Sequence, residues 1–352
     1  MITLSISALI FFSFYCLSCT FRIRALSEKI IFSLTGLYAQ IIFTELVLGF
    51  SGILDAIILT VLNVSISLGI VVFSVNTQKL DPEIKRDLQV IRHCFNRDIQ
   101  LQNTILVFLA ILLSAYIITA AYFLPPRGGS DDLTYHLPAA YEYIIQKKIF
   151  LLPIEIRPYF AFPQNGELLF VWMGIFSHST KWIDLTQFLV ALSCAAAIFS
   201  LARMLKQDIN VSIFVSLLFL FVPIVITQSG SNYIDLTVCL FFLLALYFNC
   251  QFYWDGRKMY LILSGVATGL LVGTKYHMLP LAGVLQLLIF PRLFREKKIL
   301  RGILYASVVA AFGGIWYFRN FLLLGNPIFP VLSLRPAAGY FFPNKILNYS
   351  PH

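Results

Sequence analysis

Residues 103–124 read NTILVFLAILLSAYIITAAYFL, 22 residues without one charged side chain. At about 1.5 Å per residue, an α-helix of that length crosses the ~30 Å hydrocarbon core of a bilayer. Its apolar residues are continuous, not alternating, so it is no barrel strand. Working outward, nine more candidate spans follow, at roughly 2–21, 30–50, 53–75, 182–204, 211–228, 234–253, 259–274, 276–291 and 302–323. The composition agrees. Of the 352 residues 59% are hydrophobic, against ~45–50% in soluble proteins. Charged residues make up 12%, about half the usual ~25%, and the mean hydropathy is +0.82. A soluble globule, a disordered chain and a fibre are excluded, because none can shelter so much apolar surface. The expected fold is all-α, a polytopic membrane protein of about ten transmembrane helices. Each span satisfies its own backbone hydrogen bonds in lipid. The first apolar stretch has no basic leader and no small-residue cleavage site before Phe21, so it reads as a retained span.

The net charge of +9 is a topology signal and not a nucleic-acid footprint. With the N-terminus outside, the cytoplasmic loops hold Arg22, Arg24 and Lys29; Lys79, Lys85, Arg86, Arg92 and Arg97; Arg203 and Lys206; Arg257 and Lys258; and Arg292, Arg295, Lys297, Lys298 and Arg301, which is 17 of the 26 basic residues. This polarity places the long 125–181 loop, the 229–233 turn, Lys275 and the 324–352 tail together on the outer face. The six cysteines, Cys16, Cys19, Cys94, Cys194, Cys239 and Cys250, form no metal-type CxxC set and read as small buried residues. The triplet Asn348-Tyr349-Ser350 fits a glycosylation site but is followed by Pro351, and chance accounts for it.

On that outer face the few charges stand out. The loop opens with Pro125-Pro126-Arg127-Gly128-Gly129-Ser130-Asp131-Asp132-Leu133-Thr134-Tyr135-His136-Leu137-Pro138. Ser130 or Asp131 is placed to cap a helix running to about 148, with Asp131 one turn from Tyr135 and Asp132 one turn from His136. Carboxylates held there suit a general base, or the ligation of a divalent cation such as Mg or Mn. A plain helix cap and an interfacial ring explain the same spacing. Asp235 begins a span, where an acid also favours the helix dipole. Lys275, with Tyr276 beside it, interrupts an uncharged stretch from Met259 to Phe290. It is placed to meet a phosphate or to snorkel. Arg319-Asn320 closes the last span, and Arg grips phosphate with two donors. Gly265, Gly269 and Gly273 recur every four residues as a helix-packing face. In the stretch 162–172, Glu167 reads as a helix cap and Trp172 as an interfacial anchor of a helix too short to span. Acids beside bases at a bilayer boundary suit activation of a hydroxyl while cations hold the phosphate of a lipid-linked donor.

Asp131-Asp132-Leu133-Thr134-Tyr135-His136-Leu137-Pro138 resembles the acidic motif of GT-C fold glycosyltransferases, the protein O-mannosyltransferase-like and aminoarabinose-transferase-like membrane enzymes. The Phe162-Pro163-Gln164 to Trp172 stretch is similar to their interfacial helix. Tyr233-Ile234-Asp235, Gly273-Thr274-Lys275-Tyr276, Arg319-Asn320 and Gly325-Asn326-Pro327-Ile328-Phe329-Pro330 resemble later family patterns in the family's order, so the likeness covers about 105–335. It implies a GT-C module at 103–352 preceded by three extra helices in 1–102. It also implies transfer of a sugar from a polyprenyl-phosphate donor, with inversion, at the extracytoplasmic face of a bacterial inner membrane. Asp131 matches the catalytic acid and Asp132 stands where many members have Glu. Tyr135, His136, Asp235, Lys275, Tyr276 and Arg319 would contact substrate. Metal use varies in the superfamily. Many members continue past the final motif, so an acceptor-binding part supplied there would be missing from this chain. A flippase for lipid-linked glycans is the alternative. It needs ionisable residues inside the spans and repeat symmetry, and the charges read as clustered at one face. A non-catalytic scaffold is the third reading.

Overall fold

The computed structural model describes residues 2–77, 80–95, 100–124, 131–153, 158–177, 182–296 and 298–331. Lys79, Arg97, Ser130, Lys297, the Cys94 side chain and the 348–350 triplet lie outside the described residues. Every described element is helical. In chain order they are α1 (Ile2–Thr20), α2 (Leu26–Phe50), α3 (Ala56–Asn76), α4 (Leu80–Phe95), α5 (Leu101–Phe123), α6 (Leu137–Gln146), α7 (Asn165–Gly174), α8 (Leu185–Met204), α9 (Ile209–Leu220), α10 (Pro223–Ser229), α11 (Asp235–Asp255), α12 (Lys258–Val272), α13 (Met278–Gln286), α14 (Phe290–Glu296), α15 (Ile299–Val309) and α16 (Ile315–Leu324). Among the described residues eight spans are long and apolar enough to cross a membrane, with α13–α14 and α15–α16 each forming one of them. A ninth is the pair α9 and α10, bent by 62° where Pro223 cannot continue the first helix. The tenth expected span is α12, whose 15 residues fall short of a full crossing.

The bundle is built around α2, α8, α11 and α12, which pack on one another, while α3 and α5 lie at the periphery with most of their surface outward. The N-terminal helices dock through α2. Gln40 on α2 donates to Asn63 Oδ1 at 3.0 Å and Ser67 Oγ at 3.3 Å on α3, and Asn63 donates to Thr44 at 3.0 Å. Amide hydrogen bonds of this kind hold helices together where lipid offers no hydrophobic contrast. At the basic end, fully buried Lys29 bridges Glu83 (2.7 Å) and Asp87 (2.6 Å) of α4. The glycine face forms as expected. A Cβ on Gly269 would lie 2.8 Å from the Val309 carbonyl oxygen, and one on Gly273 would lie 2.1 Å from Asn165 Nδ2.

Two expectations are corrected. Trp172 is no interfacial anchor, because its ring is buried and its indole N–H donates to Ser7 Oγ at 3.0 Å. The whole of α7 is buried. A helix apolar on every side is stable only where neighbours cover it all round, and here α2, α6 and α8 do so. Nor are all ionisable groups at the ends of the bundle. Glu45, within α2, is 0% exposed and neither of its oxygens has a hydrogen-bond partner.

Candidate functional site

The candidate site begins with a wide π-type turn at Asp132–His136, which runs directly into α6. Its signature is the Leu137 N–H bonded to the Asp132 carbonyl, five residues back. This turn rotates the two acids apart. Asp131 stays half-buried, and its Oδ2 accepts from Tyr135 Oη at 3.4 Å. Asp132 points inward at 0% exposure, where its Oδ2 accepts the Asn232 backbone N–H at 2.9 Å and its Oδ1 has no partner. Burial pushes the Asp132 carboxyl up to about 6, with the Asn232 N–H and His136 opposing and Asp184 and Asp131 adding to the rise.

His136 does not pair with Asp132. Its Nδ1 lies 2.7 Å from Glu167 Oε1, with both side chains buried. Glu167 is therefore not the expected simple cap. It reaches from the first turn of α7 to the π-type turn, and no residue in its own stretch signals this, since the partner lies 31 residues earlier. His136 Nε2 and Glu167 Oε2 are buried without partners.

Asp235 and Lys275 meet as an ion pair at 2.5 Å, with Gln228 Nε2 donating to Asp235 at 3.2 Å. The pair is partly open to solvent, its side chains 17% (Lys275) and 49% (Asp235) exposed. Arg319 is 6% exposed and stacks over Trp316. Its Nη2 donates to the Ala161 carbonyl at 3.0 Å, while its Nη1 is buried without a partner. Tyr276 Oη and Asn320 Nδ2 donate to the same carbonyl at 3.0 and 2.6 Å. Burial pushes the Tyr276 hydroxyl up to about 12, against the pull of Arg319. Burial, then Asp131 and Glu167, and more weakly Asp235, push the Tyr135 hydroxyl well above its ordinary value. All eight residues expected from the sequence thus gather at one end of the bundle, on the 131–136 stretch, the start of α11, the turn after α12 and α16.

The acids do not make a metal cage. No group of three or more His, Cys, Asp or Glu suited to a metal ion occurs among the described residues, and the π-type turn points Asp131 and Asp132 to different partners.

Residues 168–316 match the family described as dolichyl-phosphate-mannose-protein mannosyltransferase. That stretch, under half of the 352 residues, is similar to the GT-C-like mannosyltransferase superfamily. The likeness points to a glycosyltransferase in the general sense with a polyprenyl-phosphate sugar donor, and it agrees with the apolar helices of an integral membrane protein. The superfamily match runs from the first turns of α7 into the start of α16, so it includes Asp235, Lys275 and Tyr276 and leaves Asp131, Asp132 and Arg319 outside. Neither the curated proteins nor the solved structures yield a match. In this GT-C-like chain Asp131 and Asp132, Lys275 in the turn after α12, and Arg319 of α16 are brought to one end of the bundle by tertiary packing.

Proposed function

We propose that this protein is an inverting glycosyltransferase that moves a sugar from a polyprenyl-phosphate donor to a hydroxyl acceptor at the extracytoplasmic face. The observation that carries the reading is the gathering of half-buried Asp131, which accepts from Tyr135, and the Lys275–Asp235 pair, whose acid also acts on the Tyr135 hydroxyl, at the end of the bundle opposite the basic loops. The positive-inside bias supports an extracytoplasmic position for that end.

Asp131, the more accessible acid, is the general base. The acceptor oxygen bonds to the anomeric carbon as the bond from that carbon to the phosphate oxygen breaks. Polyprenyl phosphate leaves with the electron pair, and the acceptor proton passes to Asp131. Asp132 works indirectly, by holding the Asn232 backbone. Arg319, with one buried N–H unspent, and Lys275 hold the phosphate. An ion pair as open as Lys275–Asp235 is worth only about 0–1 kcal/mol, so Lys275 exchanges Asp235 for a phosphate at little cost. Histidine and tyrosine at 135–136 line the path between acid and acceptor.

The test is Asp131→Asn in lipid nanodiscs with a panel of polyprenyl-phosphate sugars. Transfer is expected to fall about 10²–10⁴-fold, the usual contribution of a general base, with the protein still folded. Full activity of the variant sinks the assignment.

A further inference from the structure

The bend at Pro223 leaves a lateral cavity beside the candidate site. Straight above the basic end, α9 packs on α5. Past the bend α10 leans onto α8 instead, so a wedge opens between α5 and α10. It is about 380 Å³. Its membrane side is apolar, with Ile117 and Ala120 of α5. Its inner side carries Asp184, 5% exposed, with the hydroxyls of Ser231 and Tyr233, while Thr227 lines it from the exposed side of α10. Among the described residues no Lys or Arg lines it.

The inner wall is coupled to the acids of the candidate site. Asn232 donates its side-chain amide to Asp184 at 2.8 Å and its backbone N–H to Asp132 at 2.9 Å. One residue thus ties the cavity carboxylate to the carboxylate beside Asp131. The Tyr233 hydroxyl feels both Asp131 and Asp132.

We infer that this wedge is the acceptor site, and that the acceptor is a neutral polyhydroxyl head group on a lipid tail that enters sideways from the bilayer. Charge decides between donor and acceptor. A phosphate needs cations, and this wall offers a buried carboxylate with hydroxyls, which repels phosphate and accepts hydrogen bonds from sugar-type hydroxyls. The apolar outer wall at membrane depth accommodates an alkyl chain, which a water-soluble acceptor would leave exposed. The acceptor assignment rests on the transferase reading; the binding site does not.

The experiment uses full-length protein in nanodiscs and two photoreactive probes, an alkyl glycoside and a polyprenyl phosphate, each with a diazirine at the chain end. The glycoside is expected to label 116–121 and 226–233. Ala120→Trp, which fills the wedge, is expected to cut that labelling at least tenfold and leave labelling by the polyprenyl phosphate unchanged. Asp184→Asn, of the same shape, is expected to weaken glycoside labelling about tenfold while a plain alkyl alcohol labels as before. If Ala120→Trp does not fold, Thr227→Phe on the exposed side of α10 carries the same expectation. Glycoside labelling indifferent to these changes overturns the inference, and so does loss of polyprenyl-phosphate labelling in its place. Labelling needs no turnover. Failure of every donor to transfer a sugar refutes the transferase reading and leaves the binding result standing.

Discussion

At pH 7.5 the Asp132 carboxyl is ionised although it is 0% exposed, with one oxygen on the Asn232 N–H and the other without a partner. Asp132→Asn removes that buried charge and keeps an oxygen for the Asn232 N–H. The carboxyl rises from 3.8 to about 6 on folding. Below pH 3.8 both folded and unfolded chains hold the proton, so ionisation costs nothing. Between 3.8 and about 6 the unfolded chain loses its proton first, so stability falls as pH rises, and above about 6 the full penalty is present. At 1.36 kcal/mol per pH unit the penalty is at most about 3 kcal/mol. Against it, the new amide places an N–H where Oδ1 had no partner, which costs about 1 kcal/mol. The variant is therefore expected to be about 1–2 kcal/mol more stable than the wild type at pH 7.5 and about 1 kcal/mol less stable near pH 4. Thermal unfolding in nanodiscs at a fixed scan rate from pH 4 to 8 reads this directly as two curves that cross. A variant less stable at every pH, with the wild-type pH profile, would refute the reasoning, for it would mean that the ionised carboxylate is stabilised where it lies.

Glu167→Gln keeps the shape of the His136 contact and removes its charge, and is expected to destabilise by about 1–2 kcal/mol in thermal unfolding, with Glu167→Ala costing about 3 kcal/mol or more. Gly273→Ala drives a methyl to 2.1 Å from Asn165 Nδ2 and 2.9 Å from the Phe312 carbonyl. It is expected to cost about 1–3 kcal/mol and to lower transfer, because Lys275 lies two residues on. Gly283→Ala, whose added methyl meets nothing within 4 Å, is the contrasting helical substitution and is expected to be neutral or stabilising by about 0.5–1 kcal/mol.

Individual residues show how far the linear chain could be read. The Gly265, Gly269 and Gly273 stripe follows from spacing, because one helix presents residues four apart on one face whatever packs there. Asp131 over Tyr135 follows in the same way, and the contact is present. Asp132 over His136 does not, because the π-type turn adds a residue to the loop of the helix and turns the second acid toward Asn232, 100 residues later. Glu167 reads as a cap within its own stretch because its partner is on another segment. Glu45 stands inside a run of apolar residues, and a lone acid in a span is a signal in its own right.

What the sequence determined by itself is the solvent and the ends. Long uncharged runs leave lipid as the only environment that accepts them, and the distribution of basic residues sorts the loops to two faces. These properties sum over single helices and need no knowledge of neighbours. Only the tertiary structure decided which acid is exposed, that His136 belongs to Glu167, that Lys275 is shared with Asp235, and that Pro223 opens a wedge beside Asp184. Each of these depends on which helix faces which. Periodicity defines a face but carries no information about its partner across the bundle.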